Sequence, residues 1–202
     1  MGRTATFETV EVVRAARSLF WREGYESASM TAIQQATGLN ASSIYHAFGS
    51  KRGLFEAAIA NYLDEVVRPG LAPLLVDRPS PQALADYLGA AARLLGEEDE
   101  DGAEDGESSL PDGCLLVNSA CAGIAREEAV REVIASYRAE LVRAFGAGVA
   151  ARFPEASAAE RERLTETSVS ALIAALVMSR VDRSAARSSL DAARTPLLAS
   201  AD

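Results

Sequence analysis

Residues 29–51, SMTAIQQATGLNASSIYHAFGSK, leave the chain few ways to fold. Ser29 can cap a short helix through Met30–Ala36, its hydroxyl accepting from an orphan N–H of the first turn. Thr37-Gly38 then breaks that helix, because glycine readily takes the left-handed conformation that a helix C-terminus favours. Asn40 can cap a second short helix over Ala41–Ala47. Ile33, Ala36, Leu39, Ile44 and Phe48 are the apolar positions, and their spacing lets the two helices share one packed face. Two short helices joined by a glycine-containing turn predict a helix-turn-helix, whose second helix enters the DNA major groove.

The second helix has the side chains of a groove reader. Ser42 and Ser43 are small hydroxyls that allow close approach to bases, while Tyr45 and His46 can reach phosphates or base edges. Thr31 near the start of the first helix, with Asn40 and Ala41 at the start of the second, completes this candidate DNA-contacting set. Lys51, the only lysine of the chain, follows Ser50 at the start of the next helix. Free backbone N–H groups, the positive end of a helix dipole and an ammonium would meet there, which suits a phosphate oxygen.

The string Gly38-Leu39-Asn40-Ala41-Ser42-Ser43-Ile44-Tyr45-His46-Ala47-Phe48-Gly49-Ser50-Lys51 closely resembles the signature of the TetR (tetracycline-repressor-like, AcrR-like) family of bacterial transcriptional regulators. There the pattern runs Gly, aliphatic, small polar residues, aliphatic, Tyr, two variable residues, Phe, a short turn and Lys. Phe20-Trp21 followed by Gly24-Tyr25 is similar to the family's aromatic closure of the same small core. Two departures stand out: Gly53 where the family often has Glu, and a reading helix without arginine. The second limits bidentate readout of guanine, so Ser, His and Tyr contacts, water or DNA shape must carry more.

The resemblance implies an all-α protein with an N-terminal three-helix DNA-binding domain over 1–50 and a larger effector-binding and dimerisation domain over 51–202. It implies that the helix leaving the first domain transmits the signal. Its partners would be a double-stranded palindromic operator, a second copy of the chain and an unknown small-molecule effector. Residues alone support the dimer: one reading helix touches too few base pairs for specificity against a genome, and a two-fold dimer reads two half-sites.

A net charge of −9 over 202 residues looks wrong for a DNA binder until it is divided. Residues 1–55 carry six basic and four acidic side chains, so the excess of acid lies wholly in the remainder. Acidic bulk with a mildly basic head fits a sequence-specific binder with low non-specific affinity, and does not fit a protein that coats nucleic acid. The composition is 49% hydrophobic, Ala-rich and sparing in Pro and Gly, which favours helices throughout. No apolar run approaches the roughly 18–20 residues that span a membrane. The N-terminus lacks the apolar core of a signal peptide, so a cytoplasmic location and reduced thiols are expected.

Along the chain, Phe7–Gly24 reads as a first helix with a Val10, Val13, Ala16, Leu19, Phe20 stripe; Arg3 and Arg14 can touch phosphate or lie on a solvated surface, the surface being the reading preferred. Lys51–Val67 reads as the connector, ending before Pro69-Gly70, and 79–96 as a helix entered through Pro79-Ser80-Pro81. Residues 97–107 hold eight carboxylates and no basic residue, so a disordered acidic loop is expected near 97–110. Gly113–Gly123 (GCLLVNSACAG) is expected to be one buried helix. Its Cys114 and Cys121 would then lie about 10.5 Å apart along the axis, beyond the reach of a disulfide. The Gly-Cys-Leu-Leu start is similar to a subset of TetR-like regulators in which a cysteine reacts with oxidants or electrophiles. Both thiols otherwise serve as small buried hydrophobes.

Glu127–Phe153, Ala158–Val181 and Ser184–Ala199 complete the helices. Leu172–Met178 is apolar on nearly all sides, which predicts burial of Leu172, Ile173, Leu176 and Val177 against a second subunit. The polar residues that can line an effector pocket are Tyr62, Tyr87, Asn118 and Tyr137, with Cys114 as the reactive alternative, or Cys121. An enzyme finds no support: the single histidine lies on the presumed DNA face, and there is no nucleophile elbow, phosphate-binding glycine loop or metal-ligand cluster. Gly146-Ala147-Gly148 falls inside a helical pattern with no preceding strand. No cofactor and no metal are expected.

Overall fold

In a computed structural model, which describes residues 2–96 and 113–199, all regular structure among the described residues is helical. The helices are α1 (Gly2–Glu23), α2 (Met30–Thr37), α3 (Ala41–Phe48), α4 (Lys51–Tyr62), the short α5 (Arg68–Leu71), α6 (Ala83–Gly96), α7 (Leu115–Ala120), α8 (Glu128–Arg152), α9 (Ala158–Met178) and α10 (Arg183–Leu198). The acidic stretch expected as a loop near 97–110 lies outside the described residues. The chain divides into two compact units, one of residues 1–69 with 118–133, the other of 70–117 with 134–202. The first unit thus extends past the 1–50 read from the sequence, because α4 packs along α1 and belongs to the same core.

The first unit is built on an aromatic centre. Phe20 meets Phe55 edge-on at 5.1 Å, Tyr25 lies 5.0 Å from Phe55, and Trp21 stands edge-on to Tyr62 at 4.9 Å. Ile33, Ile44, Leu54 and Ala58 are fully buried around it. Of the apolar positions read in the two short helices, Ile33 and Ile44 reach this core, Leu39 and Phe48 are half-buried, and Ala36 is exposed. Arg14 is no lone surface charge: it donates to Glu65 at 2.8 Å and to Glu11 at 2.7 Å. Arg17 adds bonds to Asn61 and Glu65, so the carboxylate of Glu65 clasps α1 to the end of the connector. The Arg14 guanidinium holds the Glu65 carboxyl down at about 2, with Asn61 and Arg17 adding to it against the opposing effect of desolvation.

The connector is not α-helical throughout. Leu63–Val67 forms a π-helical turn, closed by the Arg68 N–H on Leu63 O. Pro69 explains it, since proline has no N–H to donate and its ring crowds the carbonyl four residues back, here that of Glu65. The segment 118–133 joins this unit through Glu26, whose carboxylate accepts from the Ile124 N–H at 2.7 Å, and through an Arg52–Glu127 ion pair at 3.1 Å.

In the second unit α10 lies against both α6 and α9. Leu84, Leu88, Leu141, Phe145, Val149, Leu172 and Leu190 are its buried centre. Arg194 donates to Ala85 O at 3.0 Å, and Arg152 donates to the carbonyls of Leu197 and Ala199, satisfying acceptors that the end of α10 leaves open. Two sequence readings change here. The helix expected over 113–123 covers only Leu115–Ala120, and Cys121 lies in the exposed turn that follows, so the two thiols do not share one helix face. Leu172 is buried at 2% exposure within its own unit and is not free for a partner; Ile173 and Leu176 are half-buried, and Val177 is exposed. An apolar run this long fills its own core first.

Candidate nucleic-acid interface

The reading surface is assembled by caps. Ser29 Oγ accepts from Ala32 N at 3.1 Å and starts α2; Gly38, at φ +69°, ends it, donating its N–H to Gln34 O. Asn40 Oδ1 accepts from Ser43 N at 2.9 Å and starts α3; Ser50 Oγ accepts from Gly53 N at 3.0 Å and starts α4. Between them Thr37 donates its hydroxyl to Ile33 O, and Gln34 accepts the Ala41 N–H. Three helices are therefore begun by side chains that occupy their first free amides, which fixes where each points.

Ile44 is the one wholly buried side chain of α3. With that residue turned inward, Ser42, Tyr45 and His46 face outward and exposed, and Tyr45 is 50% exposed. An exposed tyrosine of this size beside a serine and an imidazole offers hydroxyl and ring N–H groups to a groove with no cost of unburying them. Thr31 is exposed on the first turn of α2. Asn40 and Ser43 are engaged in the cap, Asn40 exposed and Ser43 half-buried, and Ala41 is half-buried at the helix start. Lys51 is half-buried, its Nζ 4.6 Å from the centre of the Tyr25 ring. Burial pushes its ammonium down, partly offset by Glu26. Gln34 is not legible as a contributor, because its partner Ala41 lies across the turn; Ser50 carries the same local cap signal as Ser29 and Asn40.

The residues proposed for an effector pocket divide between the units. Tyr87, Cys114 and Tyr137 belong to the second: Cys114 Sγ lies 3.9 Å from the Tyr137 hydroxyl, and Tyr87 stands edge-on to Phe145 at 5.3 Å. Burial pushes the Tyr87 phenol up to about 12, with Cys114 adding to it. Tyr62 and Asn118 belong to the first unit, Tyr62 buried against Trp21. Cys114 is buried and Cys121 exposed, both free. Among the described residues no group of three or more His, Cys, Asp or Glu side chains can hold a metal ion, and no helix is long and apolar enough to cross a membrane.

Capped α2 and α3 with an outward polar face define a helix-turn-helix unit in a chain whose described residues form helices and no strands. The family model of the bacterial regulatory proteins, tetR family, matches residues 12–58. The HTH-type transcriptional repressor ComR of Escherichia coli (strain K12) is 33% identical over 119 residues, 58% of this chain and 52% of that protein. The repressor BdcR of the same strain is 35% identical over 92 residues, 46% of this chain and 47% of its own. The chain spans about half the length of the curated relatives it matches. A cysteine mutant of the TetR family transcriptional regulator CifR, solved with 26-bp double-strand operator DNA, superposes with a TM-score of 0.74 at 28% identity, covering 93% of this chain and 95% of that one. Residues 12–58 match the N-terminal domain of the tetR family, and the chain shares its fold with solved TetR family regulators.

Proposed function

We propose that the chain is a DNA-binding transcriptional regulator, a repressor and not an enzyme, that grips a palindromic operator as a homodimer and is released by a small-molecule effector. The observation that carries this reading is α3: one buried isoleucine, two capping contacts at its start, and Ser42, Tyr45 and His46 turned outward. That ComR and BdcR are transcriptional repressors, and that the CifR structure holds operator DNA, supports the same reading. In it Ser42, Tyr45 and His46 meet base edges, Thr31, Asn40, Ala41 and Ser43 line the groove walls, and Lys51 meets a phosphate when it leaves the Tyr25 ring. Val177 and its neighbours on α9 meet the second copy, and an effector binds in the second unit beside Tyr87, Cys114 and Tyr137. Effector binding lowers DNA affinity by its own preference for the unbound form and by no more. The test is enrichment of a palindrome from random duplexes by the purified chain, with loss in Tyr45→Ala; enrichment of nothing removes the reading.

A second mechanism for release is thiol chemistry, and the exposed position of free Cys121 favours it at that residue over buried Cys114. Substituting both cysteines by serine separates the two: DNA binding persists in each case, and only under this mechanism does the response to an alkylating agent disappear.

A further inference from the structure

Gln34 lies in the middle of α2 and presents nothing to the reading face, yet its side chain joins the two helices. Its Oε1 accepts from the Ala41 N–H at 3.2 Å, and its Nε2 donates to Met30 O at 3.2 Å. The two partners fix the amide's orientation, since only the oxygen can face an N–H and only the nitrogen a carbonyl. Ala41 opens α3, and the leading N–H groups of a helix have no acceptor inside it. Asn40 occupies that of Ser43 from within the turn, whereas Gln34 reaches the one on Ala41 from the neighbouring helix, seven residues upstream. The hydrogen bonds of the Thr37 side chain, by contrast, stay within residues 33–39 and leave α3 untouched. The start of the reading helix is therefore tied to α2 by one amide anchored at both ends.

We propose that Gln34 is a positioning residue: it sets the angle of α3 on α2 and so determines how strictly Ser42, Tyr45 and His46 discriminate between base sequences. This rests on the DNA-binding reading given above. Gln34 touches no base in this scheme. A reading helix free to rock samples several registers against the groove, so discrimination suffers, while attraction to phosphate is a matter of charge and does not.

The test uses the full chain, labelled with nitrogen-15, as wild type, Gln34→Met and Gln34→Glu. Methionine keeps the length and apolar stem of glutamine without hydrogen-bonding groups, and glutamate keeps the acceptor toward Ala41. In the wild type the Ala41 amide exchanges with solvent roughly threefold to tenfold more slowly than that of Ser42, and Gln34→Met abolishes the difference. Gln34→Glu retains it. Residual dipolar couplings report a changed α2–α3 angle in Gln34→Met. With duplexes enriched by the wild type, Gln34→Met lowers the ratio of selected to scrambled affinity by roughly threefold to tenfold, and scrambled affinity stays within about twofold. The proposal is overturned by an Ala41 amide no slower than Ser42, or by an unchanged angle and ratio once the bond is lost. Selected and scrambled affinities falling together with the melting temperature also overturn it, in favour of a purely stabilising role. Should no duplex be enriched, the DNA-binding reading fails by itself, and the amide and coupling data still decide whether Gln34 aims α3.

Discussion

Gly53→Ala turns a favourable local change into an unfavourable one. Gly53 is in the first turn of α4, its N–H bonded to Ser50 Oγ. In an exposed helix interior, alanine is preferred to glycine by about 1 kcal/mol. Here a Cβ would stand 2.0 Å from Phe48 O, and the obstacle is backbone, which has no rotamer to yield. Contacts below 3.0 Å are essentially never seen, so the last turn of α3 and the first of α4 must part by about an ångström. Against backbone the cost lies in the upper part of the usual overpacking range, about 2–3 kcal/mol, which outweighs the propensity gain and leaves a net loss of about 1–2 kcal/mol. For a chain of this size that is a fall of roughly 2–8 °C in the unfolding midpoint. Because Phe48 ends the reading helix, operator affinity should fall as well, by about tenfold if one good base contact is displaced. Calorimetry and mobility shift on the selected duplex measure both. A variant at or above the wild-type midpoint with unaltered affinity would refute the close approach of Phe48 to Gly53.

Asn40→Ala removes the acceptor of the Ser43 N–H and should cost about 1 kcal/mol by chemical denaturation, most of it restored by Asn40→Asp. Glu65 contributes stability through a carboxyl held at about 2 rather than 4.5, so its contribution is complete above about 4.5 and is lost as pH falls through 4.5 toward 2. The midpoint difference between wild type and Glu65→Gln should shrink over that acid window; a difference that grows there contradicts the clasp. Val177 and Val181 are 41% and 80% exposed, and Val177→Arg with Val181→Arg should move the sedimentation pattern toward monomer without lowering helix content. Leu172→Ala, buried in its own unit, should instead destabilise the chain by about 2–5 kcal/mol.

What was readable in advance follows from how local each determinant is. Ser29, Gly38 and Asn40 act within four residues of their targets, and each takes the cap that the sequence predicts. Long helices with an apolar stripe were found within a few residues of their ends, as for α8 and α9. The π-turn at 63–67 was missed because helical periodicity reports only which face is apolar; its cause, Pro69, was read merely as an end signal. Arg14 does stay partly exposed, but its partner Glu65 is 51 residues away and meets it only where the π-turn of the connector passes α1. Leu172 was assigned to a partner because a run that is apolar all round does not say which side meets its own core. The 113–123 segment failed for a related reason: small residues suit a buried helix and a tight turn equally well, and the chain uses both. The reading face of α3 was legible as a set, but the anchoring of its start by Gln34 was not.

The most direct test of the central claim is a mobility shift with footprinting on the DNA upstream of the chain's own coding sequence, set beside duplexes enriched from a random library. The wild type should protect a palindrome whose two half-sites lie roughly 34–36 Å apart or a multiple of it, with protection lost in Tyr45→Ala and Lys51→Ala. Full protection by Tyr45→Ala, or no enriched duplex at low salt from a protein whose helical spectrum is intact, would contradict it.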